Sequence, residues 1–416
     1  MRHRGRQRSF AVWAHINGLN QGDDLVVETV VAALRKRVPR AKLTTIAMYP
    51  EGAVARHGVP SHPIGALPQG RSRRTSLLPA DGAFGKAERM AGRATRELKA
   101  TLAAFKLLRG IDTLIIAGSG PLEDDPGSAY RLAKWALLAR AAGAHVAVMS
   151  VGAGPLDKKA NQHFVKIALR TANYVSVRDM GSAAVLAAVG VSGPVLVQPD
   201  MGWAWPGLDG NRPSVGSRPG GPVGINVMSL NDPRYERGIA IHEADWTRFN
   251  AYFDKILQVI EHVVNGGREV RLFSTESGHD AEVRAEVYRA IVKRARCDPT
   301  RIVQPPSSTV QEAMDVIRGC SVVATTRFHA GLLSLASDRP TVALAYHHKT
   351  RDVFETLGIP ELCLDAETFT VPELLHVVES AEELWDERRS VVSVSVVRLR
   401  RQLEAQFDLA CTIGHS

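Results

Sequence analysis

The chain is poor in cysteine: Cys297, Cys320, Cys363 and Cys411 are its only four in 416 residues. They are too few and too far apart for a disulfide framework or a thiolate metal site, and a reducing cytoplasm is the expected setting. Aromatic residues are also scarce, at 6%. A groove that stacks nucleic-acid bases needs more of them, so no nucleic-acid partner is expected. Long apolar runs are missing too. The best candidates, residues 129–156 and 175–197, are both broken by charges, and neither predicts a membrane span. The sequence contains no HExxH pair, no phosphate-binding loop ending in Lys-Ser/Thr, no dinucleotide fingerprint and no Gly-x-Ser-x-Gly elbow. No resident metal or cofactor is therefore predicted.

What remains is an ordinary globular composition, 45% apolar and 23% charged. The length exceeds one compact core and predicts two domains. The net charge of +9 is spread out, part of it in Arg71, Arg73, Arg74, Lys86, Arg89, Arg93, Arg96 and Lys99, and part in Arg388, Arg389, Arg398, Arg400 and Arg401. Such faces suit anionic substrates, or peripheral contact with the inner face of a membrane. The basic start, Met1 to Arg8, runs directly into a strand-like Phe10-Ala11-Val12-Trp13 and reads as a solvated tail, not a signal peptide. Nothing in the sequence indicates an oligomeric state.

Hydrophobic periodicity predicts alternating strands and helices. In the first half, strands fall at residues 10–15, 43–48, 113–117, 145–151 and 174–177, and helices at 25–37, 129–142, 161–170 and 182–189. Residues 63–92, rich in Gly, Pro, Ser and Arg, read as an excursion between elements. Residues 205–222 read as a linker. A second α/β run follows, with strands at 223–228, 269–274, 322–324 and 341–345, helices at 246–264, 280–294, 310–318 and 330–336, and a charged helical end at 381–407. The prediction is two Rossmann-like domains with parallel sheets facing a central cleft: an N-terminal domain over 1–204 and a C-terminal domain over 223–416 with a helical extension.

Several strand ends carry polar groups. Thr325-Thr326-Arg327-Phe328-His329-Ala330-Gly331 places a guanidinium and an imidazole where a strand gives way to a helix, and Lys349 follows the next strand. This is where open α/β sheets hold ligands, and a phosphorylated or carboxylated substrate suits these groups. Asn20-Gln21-Gly22-Asp23-Asp24 precedes the first helix; its carboxylates serve either as helix caps or as contacts to a sugar hydroxyl. Two Gly-rich loops, with Gly118 and Gly120 in one and Gly152 and Gly154 in the other, follow strands and are candidates to line the cleft. Arg178-Asp179 ends another strand, as a structural ion pair or as an anion site, and Asp200 ends the strand before the linker.

In order and spacing these segments resemble the polysaccharide pyruvyl transferase family. The resemblance rests on Asn20-Gln21-Gly22-Asp23, on Gly118-Ser119-Gly120 with Ser119 in place of the usual glycine, on Gly152 to Leu156, on Arg178, Asp179 and Ser182, on Asp200, and on Arg327, His329, Pro340 and Lys349. It implies a glycosyltransferase-B-like fold and transfer of pyruvate from phosphoenolpyruvate to a sugar or lipid-linked glycan acceptor as a ketal. Under that resemblance, Arg178 and Arg327 form a bidentate clamp on the donor, His329 is the general acid and Lys349 adds charge for the phosphate. Asp23, Asp24 and Asp179 stand as alternatives for positioning or deprotonating the acceptor hydroxyls. A nucleotide-sugar glycosyltransferase and a non-catalytic glycan-binding protein of the same fold are the rival readings.

Overall fold

The computed structural model describes residues 7–14, 19–65, 83–118, 122–124, 127–209, 219–235 and 245–414, with side chains described for all of these except 83–91, 93 and 235. Ser119, Gly120, Arg71, Arg73, Arg74 and the middle of the linker lie outside the described residues.

The first half contains strands β1 (Ser9–Trp13), β2 (Lys42–Ala47), β3 (Ser61–Pro63), β4 (Thr113–Ala117), β5 (His145–Val151), β6 (Tyr174–Val177) and β7 (Leu196–Val197). Its helices are α1 (Gln21–Arg37), α2 (Pro50–His57), α3 (Ala83–Leu108), α4 (Ser128–Ala141), α5 (Lys159–Thr171) and α6 (Met180–Ala188). The second half has β8 (Val223–Asn226), β9 (Val270–Phe273), β10 (Ile302–Val303), β11 (Val322–Thr325), β12 (Thr341–Ala345) and β13 (Cys363–Asp365). Its helices are α7 (Trp246–Asn265), α8 (His279–Arg294), α9 (Val310–Arg318), α10 (Phe328–Ala336), α11 (His348–Thr356), α12 (Val371–Glu383) and α13 (Trp385–Thr412).

All pairings within the two sheets are parallel, in the orders β3-β2-β1-β4-β5-β6-β7 and β10-β9-β8-β11-β12-β13. The central strands explain why. β1 (SFAVW) and β4 (TLIIA) are buried at every position, so they need helices on both faces, as crossover connections provide. In each sheet the strand order reverses beside the first strand, between β1 and β4 and between β8 and β11. A crevice opens there beyond the strand ends. Asn20 and Gly118 lie at the first crevice, and Asn226 and Arg327 at the second.

Two expectations change. The second part of the 63–92 excursion is helical, because α3 starts at Ala83 and its Ala, Lys, Glu, Arg and Leu content outweighs Gly85 and Gly92. The C-terminal extension spans both domains, starting against α10 and α12 of the second. Helix α13 runs back to the first domain, packing on α1 and on the short 3-10 turn Met201–Ala204. Gln406, fully enclosed, binds Ser176 at 2.6 Å, Tyr174 at 3.2 Å and Ser150 at 3.0 Å, while Arg37 on α1 holds Glu404 and Asp408. Leu399, Leu403 and Phe407 are buried in a core cluster that also takes in Phe10, Val26 and Trp203 from the first domain and Val223 and Leu272 from the second. Each such side chain stabilises the packing by ~1.5–3 kcal/mol. Among the described residues no helix is long and apolar enough to cross a membrane.

Candidate active site

The two domains meet first through backbone. Asn20 pairs with Glu276 in an isolated antiparallel bridge, Gln21 N–H donates to Thr275 O at 3.1 Å, and Ser277 N–H donates to Leu19 O at 2.9 Å. The Asn20 side chain accepts from Gly22 N at 3.0 Å and caps α1. This fixes the loop ahead of α1 against the loop after β9. Gly22 is required here: a Cβ on it would overlap the His329 ring, which comes from α10 of the other domain.

Beside this seam, a cavity of about 270 Å³ opens between the domains, lined by Arg178, Asp179, Asp200, Phe328, Lys349 and Asp352 among others. Arg178 leaves the end of β6, and its guanidinium lies 5.2 Å from the Phe328 ring centre. Lys349, at the start of α11, reaches 5.9 Å from the same ring. Two cations from opposite domains thus converge on one aromatic. Gly152 lets the guanidinium lie flat against β5's outgoing loop, since a Cβ there would stand 2.6 Å from Nη2. His347 records the positive field. Burial, then Lys349, His348 and Arg178, depress its pKa to about 3, against a weaker opposing effect of Asp179.

Asp200 joins the domains electrostatically. It follows β7 and caps the 3-10 turn through Oδ1, which accepts from Gly202 N at 2.9 Å. Its Oδ2 accepts from Arg178 Nη1 at 3.3 Å and faces His329 Nε2 at 3.7 Å. Burial works to raise its pKa, but His329, Arg178 and the Gly202 N–H outweigh burial and hold it at about 2. His329 moves downward from 6.5: burial leads, Arg178 and Lys349 add to it, and Asp200 opposes. Its imidazole sits between Gly22 and Asp200, one residue beyond Phe328.

Arg327 lies elsewhere. Its Nε and Nη2 donate to Asp280 at 2.5 and 2.9 Å, a bidentate pair with a wholly buried carboxylate. Asp280 also accepts from Ser229 N and Oγ at 2.9 Å each. Burial alone would lower the Arg327 pKa, but Asp280 outweighs it and pushes it well up. The structure therefore pairs Arg178 with Lys349 at the cavity, while the Nε/Nη2 edge of Arg327 is taken by Asp280.

The remaining sequence candidates divide. Asp179 caps α6 through Ser182 N at 2.6 Å, lies 3.5 Å from Arg178 Nε, and meets His348 Nε2 at 3.6 Å from across the cleft. Burial opposes its ionisation, yet His348, Arg178 and Ser182 keep its carboxyl well below the usual range. Asp23 is buried in the first turn of α1 beside Gly22. Asp24 is held by Arg56 and His57 of α2, each at 3.1 Å, and so serves to pack α2 on α1. Gly118 has φ +100°, which L side chains rarely adopt. Gly154 makes room for Glu123, whose Cγ a Cβ would approach to 2.5 Å. Gly120 is outside the described residues.

Asp179, His348 and Asp352 each present a donor atom within 4.8 Å of the others. Asp179 is already engaged as cap and ion-pair partner, and Arg178 and Lys349 beside it oppose a further cation. Asp179, His348 and Arg178 are already joined as ion pairs. Sequence reasoning missed Phe328, Asp280, His348, Asp352 and the contribution of α13. Phe328 stood in plain view between Arg327 and His329, but nothing local marks it as a cation platform. Asp280 reads locally as an ordinary first-turn helix acid.

The profile of the polysaccharide pyruvyl transferase family matches residues 20–348, most of the chain. The amylovoran biosynthesis protein AmsJ of Erwinia amylovora is 25% identical over 146 residues, covering 34% of this chain and 35% of that protein, so the match spans about a third of that relative. A UDP-GlcNAc 2-epimerase from Neisseria meningitidis, solved with UDP-GlcNAc, superposes with a TM-score of 0.54 at 9% identity, over 97% of this chain and all (100%) of that one. A glycosyltransferase from Rickettsia africae gives 0.56 at 7% identity, over 98% and 100%. At such identities the likeness is of fold alone, and that fold is the two-domain, glycosyltransferase-B-like arrangement of parallel sheets. Matched from the cap of α1 at Asn20 to His348 at the start of α11, the chain belongs to the polysaccharide pyruvyl transferase family.

Proposed function

We propose that this protein transfers pyruvate from phosphoenolpyruvate to two hydroxyls of a glycan precursor, as a cyclic ketal. The observation that carries this is the convergence of Arg178 and Lys349, from opposite domains, on Phe328 at the cleft cavity. A small polyanion with a carboxylate and a phosphate matches that pair: the planar fork takes the carboxylate and the ammonium takes phosphate oxygens. Arg327 acts one layer behind, held by Asp280. Family membership and a relative named for amylovoran biosynthesis support a glycan acceptor.

The chemistry balances with two hydroxyls. The first adds to the central carbon while the methylene carbon takes one proton and becomes methyl. The second displaces phosphate, which carries off the other proton. His329 is assigned the proton to carbon through Nε2, which faces Asp200 at the cavity wall, and Asp23 or Asp179 the positioning of the hydroxyls. The donor's negative charge offsets Arg178 and Lys349 and raises the His329 pKa, so donor binding takes up a proton.

Calorimetry with phosphoenolpyruvate, on the wild type and Arg178→Ala, tests the donor, with a nucleotide sugar as control. Saturable binding lost in the variant is expected. Binding of the nucleotide sugar alone would move the protein to a glycosyltransferase role.

A further inference from the structure

Two histidines cross the cleft in the same way. His329, in the first turn of α10, lies on Gly22 in the first turn of α1. His348, the first residue of α11, lies on Gly181 in the first turn of α6. A Cβ on Gly181 would stand 2.2 Å from His348 Nε2 and 2.3 Å from Cδ2, with the His348 Cε1 next at 3.0 Å. Each imidazole also turns Nε2 toward a carboxylate of the first domain, at 3.7 Å from Asp200 and 3.6 Å from Asp179. Both nitrogens are enclosed, and neither has a hydrogen-bond partner among the described residues. The first contact holds the proposed general acid. The second has no part in the chemistry proposed above.

What the second contact joins is the two turns that carry the cavity cations. Gly181 follows Arg178 and Asp179, and Asp179 caps that turn through Ser182 N. His348 directly precedes Lys349. The His347 ring centre lies 4.0 Å from that of His348, and His347 Nδ1 accepts from Lys349 N at 3.3 Å, which ties the ring to the turn. We propose that His348 is a positioning residue: seated on Gly181, it sets the separation of Arg178 and Lys349 across the cleft. An anion with two charged ends gains from both cations only when their separation matches it, whereas an anion with one charged group needs only one of them. The identity of the two-ended anion rests on the function proposed above; the contact between the domains does not.

Gly181→Ala, His348→Ala and the double variant test this in the full-length protein, with phosphoenolpyruvate and inorganic phosphate titrated separately. Gly181 is helical, so alanine suits its backbone and meets the His348 ring first. Gly181→Ala is expected to weaken phosphoenolpyruvate about thirtyfold and phosphate less than about twofold, and His348→Ala to weaken phosphoenolpyruvate about fivefold. Without the ring the added methyl has room, so the double variant should match His348→Ala. Amide hydrogen exchange reads the contact without ligand: Gly181→Ala should speed exchange at Thr350 on α11, and His348→Ala at Ser182 on α6. Equal losses for the two anions, a double variant as weak as Gly181→Ala, or unchanged exchange across the cleft overturns the positioning role. A wild type that binds no phosphoenolpyruvate, with both exchange effects present, upholds the contact and counts against the donor assignment alone.

Discussion

Arg178 and Arg327 occupy matching places in the two domains. Each follows the last residues of a parallel strand and precedes a helix. Locally they are alike, yet their surroundings differ. Arg327 is the more exposed side chain, 22% against 4%, but its Nε/Nη2 edge is taken by Asp280 in short, bidentate bonds. Arg178 shares its charge between Asp200 at 3.3 Å and Asp179 at 3.5 Å, with no bidentate partner, and lines the cavity. Availability to a ligand is thus set by how tightly the resident carboxylates hold the fork, not by exposure. A strand-end arginine is a candidate anion site only until its counter-ion is known.

The contrast is broken most forcefully at Arg178. Arg178→Ala should lower kcat/KM by ~10²–10³-fold, as loss of a preorganised charge donor does; it also leaves the buried Asp200 and Asp179 short of a cation, so Tm falls and rates are compared where circular dichroism shows both proteins folded. Steady-state kinetics with a glycan acceptor would read this, and an unimpaired variant would remove Arg178 from the donor site. The opposite pattern is expected at Arg327's partner. Asp280→Ala leaves a cation without its buried partner and should cost ~3–5 kcal/mol in urea unfolding, with activity falling only as folded protein is lost. A stable but inactive Asp280→Ala would return Arg327 to the clamp.

Gly22→Ala sharpens the seam between them. The new methyl overlaps the His329 ring, so turnover should drop by ~10²-fold through misplacement of the proposed general acid, with donor affinity nearly unchanged. Single-turnover rates beside calorimetric affinities would show the split.

The pH dependence follows from His329. Its pKa in the free protein lies below 6.5, so the protonated fraction, and with it kcat/KM, should fall as pH rises through a value under 6.5. The limb in kcat should lie higher, because bound donor offsets Arg178 and Lys349. Asp200→Asn removes the group that opposes the depression, and should carry the kcat/KM limb further toward acid. Rate profiles of both proteins decide this; coincident limbs would detach Asp200 from His329. The smallest effect is expected at Asp24→Asn, which loosens Arg56 and His57 by about 1 kcal/mol and leaves kcat/KM alone, as its place against α2 requires.

The sequence by itself determined the inner strands of the two sheets and the positions where polar groups leave them, but not the short edge strands β3, β7, β10 and β13. Continuous apolar runs such as Thr113–Ala117 can only be buried strands, and the strand-to-helix junctions at Arg178 and Arg327 follow from the same periodicity. Gly22 and Gly152 could be seen as glycines, but not what lies against them. Tertiary structure alone decided that His329 lies on Gly22, that Arg178 lies on Gly152, that Asp280 takes Arg327 and that Asp24 belongs to α2. It also returned α13 to the first domain, bringing Arg398 to the cleft. The physical reason is the same in each case. Periodicity and capping are read over a few neighbouring residues, whereas the pairing of a charge depends on carboxylates tens to hundreds of positions away. For Arg37 and Asp408 the separation is 371 residues.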